Sequence, residues 1–100
     1  MKTYAILRRS GWPTSSASEQ AAGRSGDAAD KMTDDIHRLR TYVLDEGGTT
    51  LGSICIYQAT DDWAIRSHAE RAVLPIDEVV EIVDTLIVNP DPAQPGRDRR

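Results

Sequence analysis

Residues 36–58 read IHRLRTYVLDEGGTTLGSICIYQ, and this stretch decides the fold. Ile36 to Asp45 carries Leu39, Tyr42, Val43 and Leu44 and reads as a strand. Thr50 to Gln58, with β-branched Ile54 and Ile56 around Cys55, reads as another. Gly47-Gly48 between them suits the positive φ angles of a tight turn. An antiparallel hairpin is expected. With a two-residue turn at Gly47-Gly48, Arg40 falls opposite Cys55 and Arg38 opposite Tyr57, and Arg40, Tyr42, Cys55 and Tyr57 share one face. A longer turn would slip the register by one residue and remove that pairing.

Working outward, Lys2 to Arg9 reads as a strand that Ser10-Gly11-Trp12-Pro13 breaks. Thr14, Ser15, Ser16 and Ser18 are candidate N-caps, and Glu19 to Met32 spaces Ala21, Ala22, Ala28, Ala29 and Met32 as a helix would. Gly23 and Gly26 each cost about 1 kcal/mol against Ala there. After the hairpin, Thr60 reads as an N-cap, with Asp61 and Asp62 complementing the dipole of a helix to about Val73. Its apolar stripe is Ile65, Ala69, Ala72 and Val73, and Pro75 stops it. Val79 to Val88 reads as the fourth strand. The order β-α-β-β-α-β is the split-βαβ motif, which predicts a ferredoxin-like α+β domain over residues 1–88. Its four-stranded antiparallel sheet would carry both helices on one face. The proline-rich stretch 89–100 is expected to be a disordered tail.

One hundred residues make one ordinary domain, and 39% hydrophobic with 28% charged residues is a globular composition. A net charge of −4 repels phosphate backbones, so a nucleic-acid partner is not expected. The arginines at Arg8–Arg9, Arg38–Arg40 and Arg97–Arg100 read mostly as solvated. The single cysteine, Cys55, cannot form an internal disulfide. No run reaches the roughly 18 apolar residues of a membrane span. A cytoplasmic protein without a membrane partner is the expectation. An open apolar sheet face carrying Tyr42, Leu44 and Tyr57 would be covered by a second copy, which predicts a homodimer.

A resemblance rests on four short stretches: Leu39-Arg40-Thr41-Tyr42-Val43, Cys55-Ile56-Tyr57-Gln58-Ala59, His68-Ala69-Glu70-Arg71-Ala72 and Leu74-Pro75-Ile76-Asp77. In these the chain resembles the small nickel-responsive, ferredoxin-like proteins of bacteria, which show a Ser-Tyr-Val strand, a Cys-x-Tyr-x-Ala strand and a helix ending in Gly-x-Pro. The departures are specific. Many members carry an aromatic residue where Arg38 stands, and several a His where Arg40 stands. The Pro after the strand-three Ala is Thr60 here, and the Gly of Gly-x-Pro is Val73.

The resemblance directs attention to Cys55 and His68 as metal ligands, with nickel as the metal. A thiolate and an imidazole suit nickel, zinc or copper, but two ligands do not complete a site. A symmetric dimer could supply the rest by doubling the pair. The plainer reading is that Cys55 is a small buried hydrophobe and His68 a half-buried residue at the edge of the helix stripe. Arg40 in place of a His would put a fixed cation against Cys55, repelling a divalent ion and favouring a thiolate. Trp63 is expected to fold back over the Pro13 or Thr60 region. No nucleophile motif, phosphate-binding glycine loop or metalloprotease motif is present. The reading is a small non-enzymatic dimeric module binding a metal or small ligand at Cys55 and His68. The alternatives are a dimeric α/β-barrel-type enzyme acting on a small molecule in the cleft between helices and sheet, and an interaction module without a site. A pocket with convergent polar groups would favour a small-molecule site.

Overall fold

The computed structural model describes residues 1–92. The elements run β1 (Lys2–Trp12), α1 (Ser15–Asp30), β2 (Ile36–Asp45), β3 (Leu51–Ala59), α2 (Asp62–Ala72) and β4 (Glu78–Ile82). The four strands form one sheet in the order β2-β3-β1-β4, with every neighbouring pair antiparallel. This is the ferredoxin-like α+β architecture that the order of elements predicts.

Local chemistry accounts for the boundaries. Thr14 caps α1, its hydroxyl accepting from the Ala17 N–H at 3.1 Å, so the helix begins at Ser15 and not Glu19. Asp61, not Thr60, caps α2: its carboxylate accepts from the Ala64 N–H at 3.0 Å. That helix closes in a Schellman motif. The Leu74 N–H donates to the Ala69 carbonyl at 2.8 Å and the Val73 N–H to that of Glu70 at 3.3 Å, with Val73 left-handed at φ 55°. The fourth strand is five residues long and stops at Ile82, short of the expected Val88. Ile82 pairs with Thr3, and β1 begins one residue earlier, so β1 offers a partner for at most one further residue.

Residues alternate between helix side and open side along each strand. Tyr4, Ile6 and Arg8 of β1 and Ser53, Cys55, Tyr57 and Ala59 of β3 are buried on the helix side. The core joins them to Met32, Ile36, Ala64 and Ile65, with Ile76 and Val79 packed at its margin. Fully burying a side chain such as Ile6 or Ile65 is worth about 1.5–3 kcal/mol. With no phenylalanine in the chain, that aliphatic core and the two buried tyrosines carry most of the apolar stabilisation. On the open side, Ala5, Leu7, Ile54 and Ile56 keep intermediate exposure, and Val80 is 45% exposed.

The hairpin register differs from the expected one. Gly47 and Gly48 do take positive φ, but the loop spans residues 46–50, with Asp45 opposite Leu51. The longer loop slips the register by one, placing Thr41, not Arg40, opposite Cys55; Arg40 stands opposite Ile56. A bulge at Leu39 then restores Arg38 opposite Tyr57. Thr41 and Arg38 therefore share the helix side with Cys55 and Tyr57. Arg40 and Tyr42 share the open side, where both donate to the Asp91 carboxylate, at 2.7 and 2.8 Å. Asp91 belongs to the described part of the stretch expected to be disordered; residues 93–100 lie outside the described residues.

Candidate functional site

The strand alternation that buries Tyr4 and Ile6 carries Arg8 inward as well. Beyond it β1 is irregular: Ser10 takes φ 50°, and pairing with β3 resumes only at Trp12 opposite Leu51. Glu46 holds this bulge from the hairpin loop. Its carboxylate accepts from Arg9 Nε at 2.7 Å, Arg9 Nη2 at 2.9 Å and the Ser10 N–H at 3.1 Å. The Arg9 guanidinium holds the Glu46 carboxyl below its usual value. Gly52 lets the two strands approach; a Cβ there would lie 2.6 Å from the Arg8 carbonyl oxygen. Alternation turns Arg9 outward, while Arg8 and, past the bulge, Trp12 line one cleft beside α1.

A cleft of about 430 Å³ opens between α1 and the sheet at this point. Its apolar wall includes Trp12, Val43, Leu51 and Leu74. Its polar floor includes Arg8, Cys55, Tyr57 and Ser53, with Ser25, Arg38 and Thr41 alongside. Arg8 is only 1% exposed. Its Nη1 donates to the Cys55 sulfur at 3.1 Å, while Nε and Nη2 have no hydrogen-bond partner among the described residues. No carboxylate lies within ion-pair distance of it among those residues. A guanidinium is always charged, and enclosing one without a counter-charge is unfavourable. Sequence reading had placed Arg8 among solvated arginines. The same-face sequence Tyr4, Ile6, Arg8 was the signal that could have found it.

Cys55 and His68 occupy different parts of this cluster. The Cys55 sulfur accepts from Arg8 and, at 3.3 Å, from the Thr41 hydroxyl. His68 is fully buried rather than at an edge. Its Nε2–H donates to the Ser25 carbonyl at 3.0 Å, which leaves Nδ1 as the unprotonated nitrogen, buried without a partner among the described residues. Burial lowers the His68 pKa, and the charges of Arg8 and Arg38 lower it further against the opposing Ser25 hydrogen bond, so the ring is neutral at pH 7. Tyr57 links the two, its ring edge-on to His68 with centroids 5.5 Å apart and its hydroxyl 3.3 Å from Ser25 Oγ. Burial, reinforced by the neighbouring Cys55, raises the Tyr57 pKa and keeps the phenol protonated. Arg38 reaches in from β2, with Nη1 3.5 Å from Ser25 Oγ and its guanidinium beside Gly26 of α1.

Nickel would require this cluster to hold a divalent cation. Among the described residues no group of three or more His, Cys, Asp or Glu side chains is placed to do so. The Cys55 sulfur instead faces a guanidinium, which repels a divalent ion and donates where a metal would. The donor set does not fit the metal. The fixed cation expected at Arg40 is present, but it is Arg8, delivered by the opposite strand. Trp63 does not fold back as expected; it stands 68% exposed on α2, and Trp12 is the tryptophan of the cleft.

These features define a two-layer ferredoxin-like domain with a polar-floored cleft between its first helix and its sheet. The family model of the nickel-responsive protein SCO4226-like proteins matches residues 4–82, and the chain belongs to that family. The crystal structure of SCO4226 from Streptomyces coelicolor A3(2) is similar, with a TM-score of 0.65 at 20% identity, over 84% of this chain and 99% of that one. No curated protein matched the chain. Among the described residues no helix is long and apolar enough to cross a membrane.

Proposed function

We propose that the protein is a non-enzymatic, dimeric small-molecule-binding module whose ligand occupies the cleft between α1 and the sheet. The observation that carries this reading is convergence: the polar residues Arg8, Ser25, Arg38, Thr41, Ser53, Cys55 and Tyr57 line one cavity with an apolar wall. Its volume of about 430 Å³ falls within the range of small-ligand sites. The Ser25 hydroxyl lies 3.4 Å from His68 Nε2, but that nitrogen carries the proton given to the Ser25 carbonyl and cannot take the hydroxyl's. The nearest base, His68, is tied to the Ser25 backbone, which supports binding without turnover. Cys55 and His68 thus act through the cleft, Cys55 on its floor and His68 behind Tyr57, and nickel binding at the pair is weak.

Dimerisation through the open sheet face is supported by what that side leaves bare. Beyond β4, Val83, Leu86, Ile87 and Val88 are 79–89% exposed, next to a face bearing Val80, Tyr42 and Ile56. A small domain rarely leaves so many large apolar residues in water without a partner. A free, buried Cys55 suits a reducing, cytoplasmic setting.

Thermal-shift screening of the purified protein against small aromatic acids, amines and neutral aromatics tests the cleft. Ala22→Trp, an exposed position at the mouth, is the blocking variant. Compounds that raise the wild-type Tm should leave Ala22→Trp unmoved. Equal shifts in both proteins would place binding elsewhere.

A further inference from the structure

We infer that the cleft is an anion receptor, and that its ligand is a small carboxylate with an apolar body, its carboxylate directed at Arg8 and Arg38. This deepens the small-molecule reading and rests on it.

The charge at the floor is incompletely answered. Of the residues lining the cleft, Arg8 and Arg38 are cations and only Glu19 is a carboxylate. Arg8, 1% exposed, spends Nη1 on a sulfur and has Nε and Nη2 unmatched among the described residues. Nε and one Nη are the pair of donors that a carboxylate accepts side by side in the bidentate arrangement. A buried, unpaired guanidinium is therefore a preorganised half of an ion pair. The field of the two arginines extends through the cluster, where both bear on His68.

Neutral and cationic ligands fit this floor poorly. The other groups at hand, the hydroxyls of Ser25, Thr41 and Tyr57 and the Cys55 thiol, can donate to oxygen, so one carboxylate can be ringed by donors. The wall of Trp12, Val43, Leu51 and Leu74 offers no complement to a polar body and suits an aromatic or aliphatic one. A compact, fully hydrated anion such as inorganic phosphate would satisfy the arginines but leave the wall unused. The wall thus selects between two oxyanion sources that the guanidinium alone would accept.

The probes are benzoate, its neutral isostere benzamide, and inorganic phosphate, titrated calorimetrically at fixed pH and ionic strength against the full chain. Wild type should bind benzoate at least about tenfold more tightly than benzamide or phosphate. Arg8→Met, which fills the same space without the charge, should abolish that preference while its ligand-free Tm stays level or rises. Arg38→Met, at an exposed position and safe for folding, should weaken benzoate binding and spare benzamide. Benzamide binding as well as benzoate, with Arg8→Met unaffected, would overturn the anion receptor and leave the small-molecule cleft standing. Phosphate binding more tightly than benzoate would overturn the apolar-bodied ligand. Binding of none of the three would sink both the receptor and the cleft.

Discussion

Val73 offers a stability test whose size follows from the backbone. It ends α2 at φ 55° and ψ 56°, a left-handed conformation in which a β-branched residue is an outlier. For an L-residue that conformation costs roughly 1–2 kcal/mol. The side chain is 73% exposed, so removing it forfeits little burial. Glycine is free of the strain but loses about 0.5–1 kcal/mol through the entropy of the unfolded chain. The Schellman hydrogen bonds from the Val73 and Leu74 N–H groups are backbone bonds and survive the change. Val73→Gly should therefore stabilise the protein by about 0.5–1 kcal/mol, a rise in Tm of roughly 2–8 °C for a domain this small. Val73→Ala keeps a Cβ in the same conformation and should gain less. The assay is urea unfolding of the three proteins at one protein concentration, since a dimer's stability depends on it. A neutral or destabilising Val73→Gly would show that the left-handed residue stores no strain.

Acid should weaken the fold through His68. Its folded pKa lies below the ordinary imidazole value of about 6.5 because the ring is buried, so the unfolded chain takes up the proton first. The contribution is complete above that value and is lost as pH falls toward the folded pKa. Urea midpoints at pH 7 and pH 5 should differ more for wild type than for His68→Gln, and an equal fall would remove His68 as the cause. Gly52→Ala should destabilise by about 1–3 kcal/mol, because its Cβ would meet the Arg8 carbonyl at 2.6 Å; a silent Gly52→Ala would mean the β1 bulge yields freely. Nickel titration should show only weak binding, and Arg40→His should leave it unchanged, because residue 40 faces Ile56 on the far side of the sheet. Tight stoichiometric nickel would overturn both the geometry at Cys55 and its reading. Sedimentation at micromolar concentration should give a dimer mass, and a clean 11.0 kDa monomer would remove the sheet-face interface.

The elements were legible because each announces itself locally. Periodicity in 36–58, cap signals at Thr14 and Thr60 and breakers at Pro13 and Pro75 bracket them, apart from the end of β4, and their order defines the topology. The site was less legible because it depends on register. One extra residue in the loop 46–50 exchanges Arg40 for Thr41 opposite Cys55, and the Leu39 bulge then returns Arg38 to Tyr57. Neither is visible in a sequence that only marks the turn with two glycines. Cys55 was singled out from the sequence and lies on the floor of the cleft, and its cationic neighbour was anticipated in kind but not in identity. Arg8 escaped notice because paired arginines at a strand end ordinarily face water. Strand alternation turns Arg9 out and keeps Arg8 in, on the same face as Tyr4 and Ile6. Val73 was marked as a departure from a Gly-x-Pro pattern, and its positive φ is the physical meaning of that departure.

We propose the cleft over Arg8 and Cys55 as the place where this protein meets its ligand. Amide chemical-shift mapping on addition of benzoate tests it most directly, since it reports location independently of affinity. Binding in the cleft should concentrate the shifts at Trp12, Ser25, Thr41, Ser53 and Cys55. Shifts confined to the open face, around Arg40, Tyr42 and Val80, would contradict it.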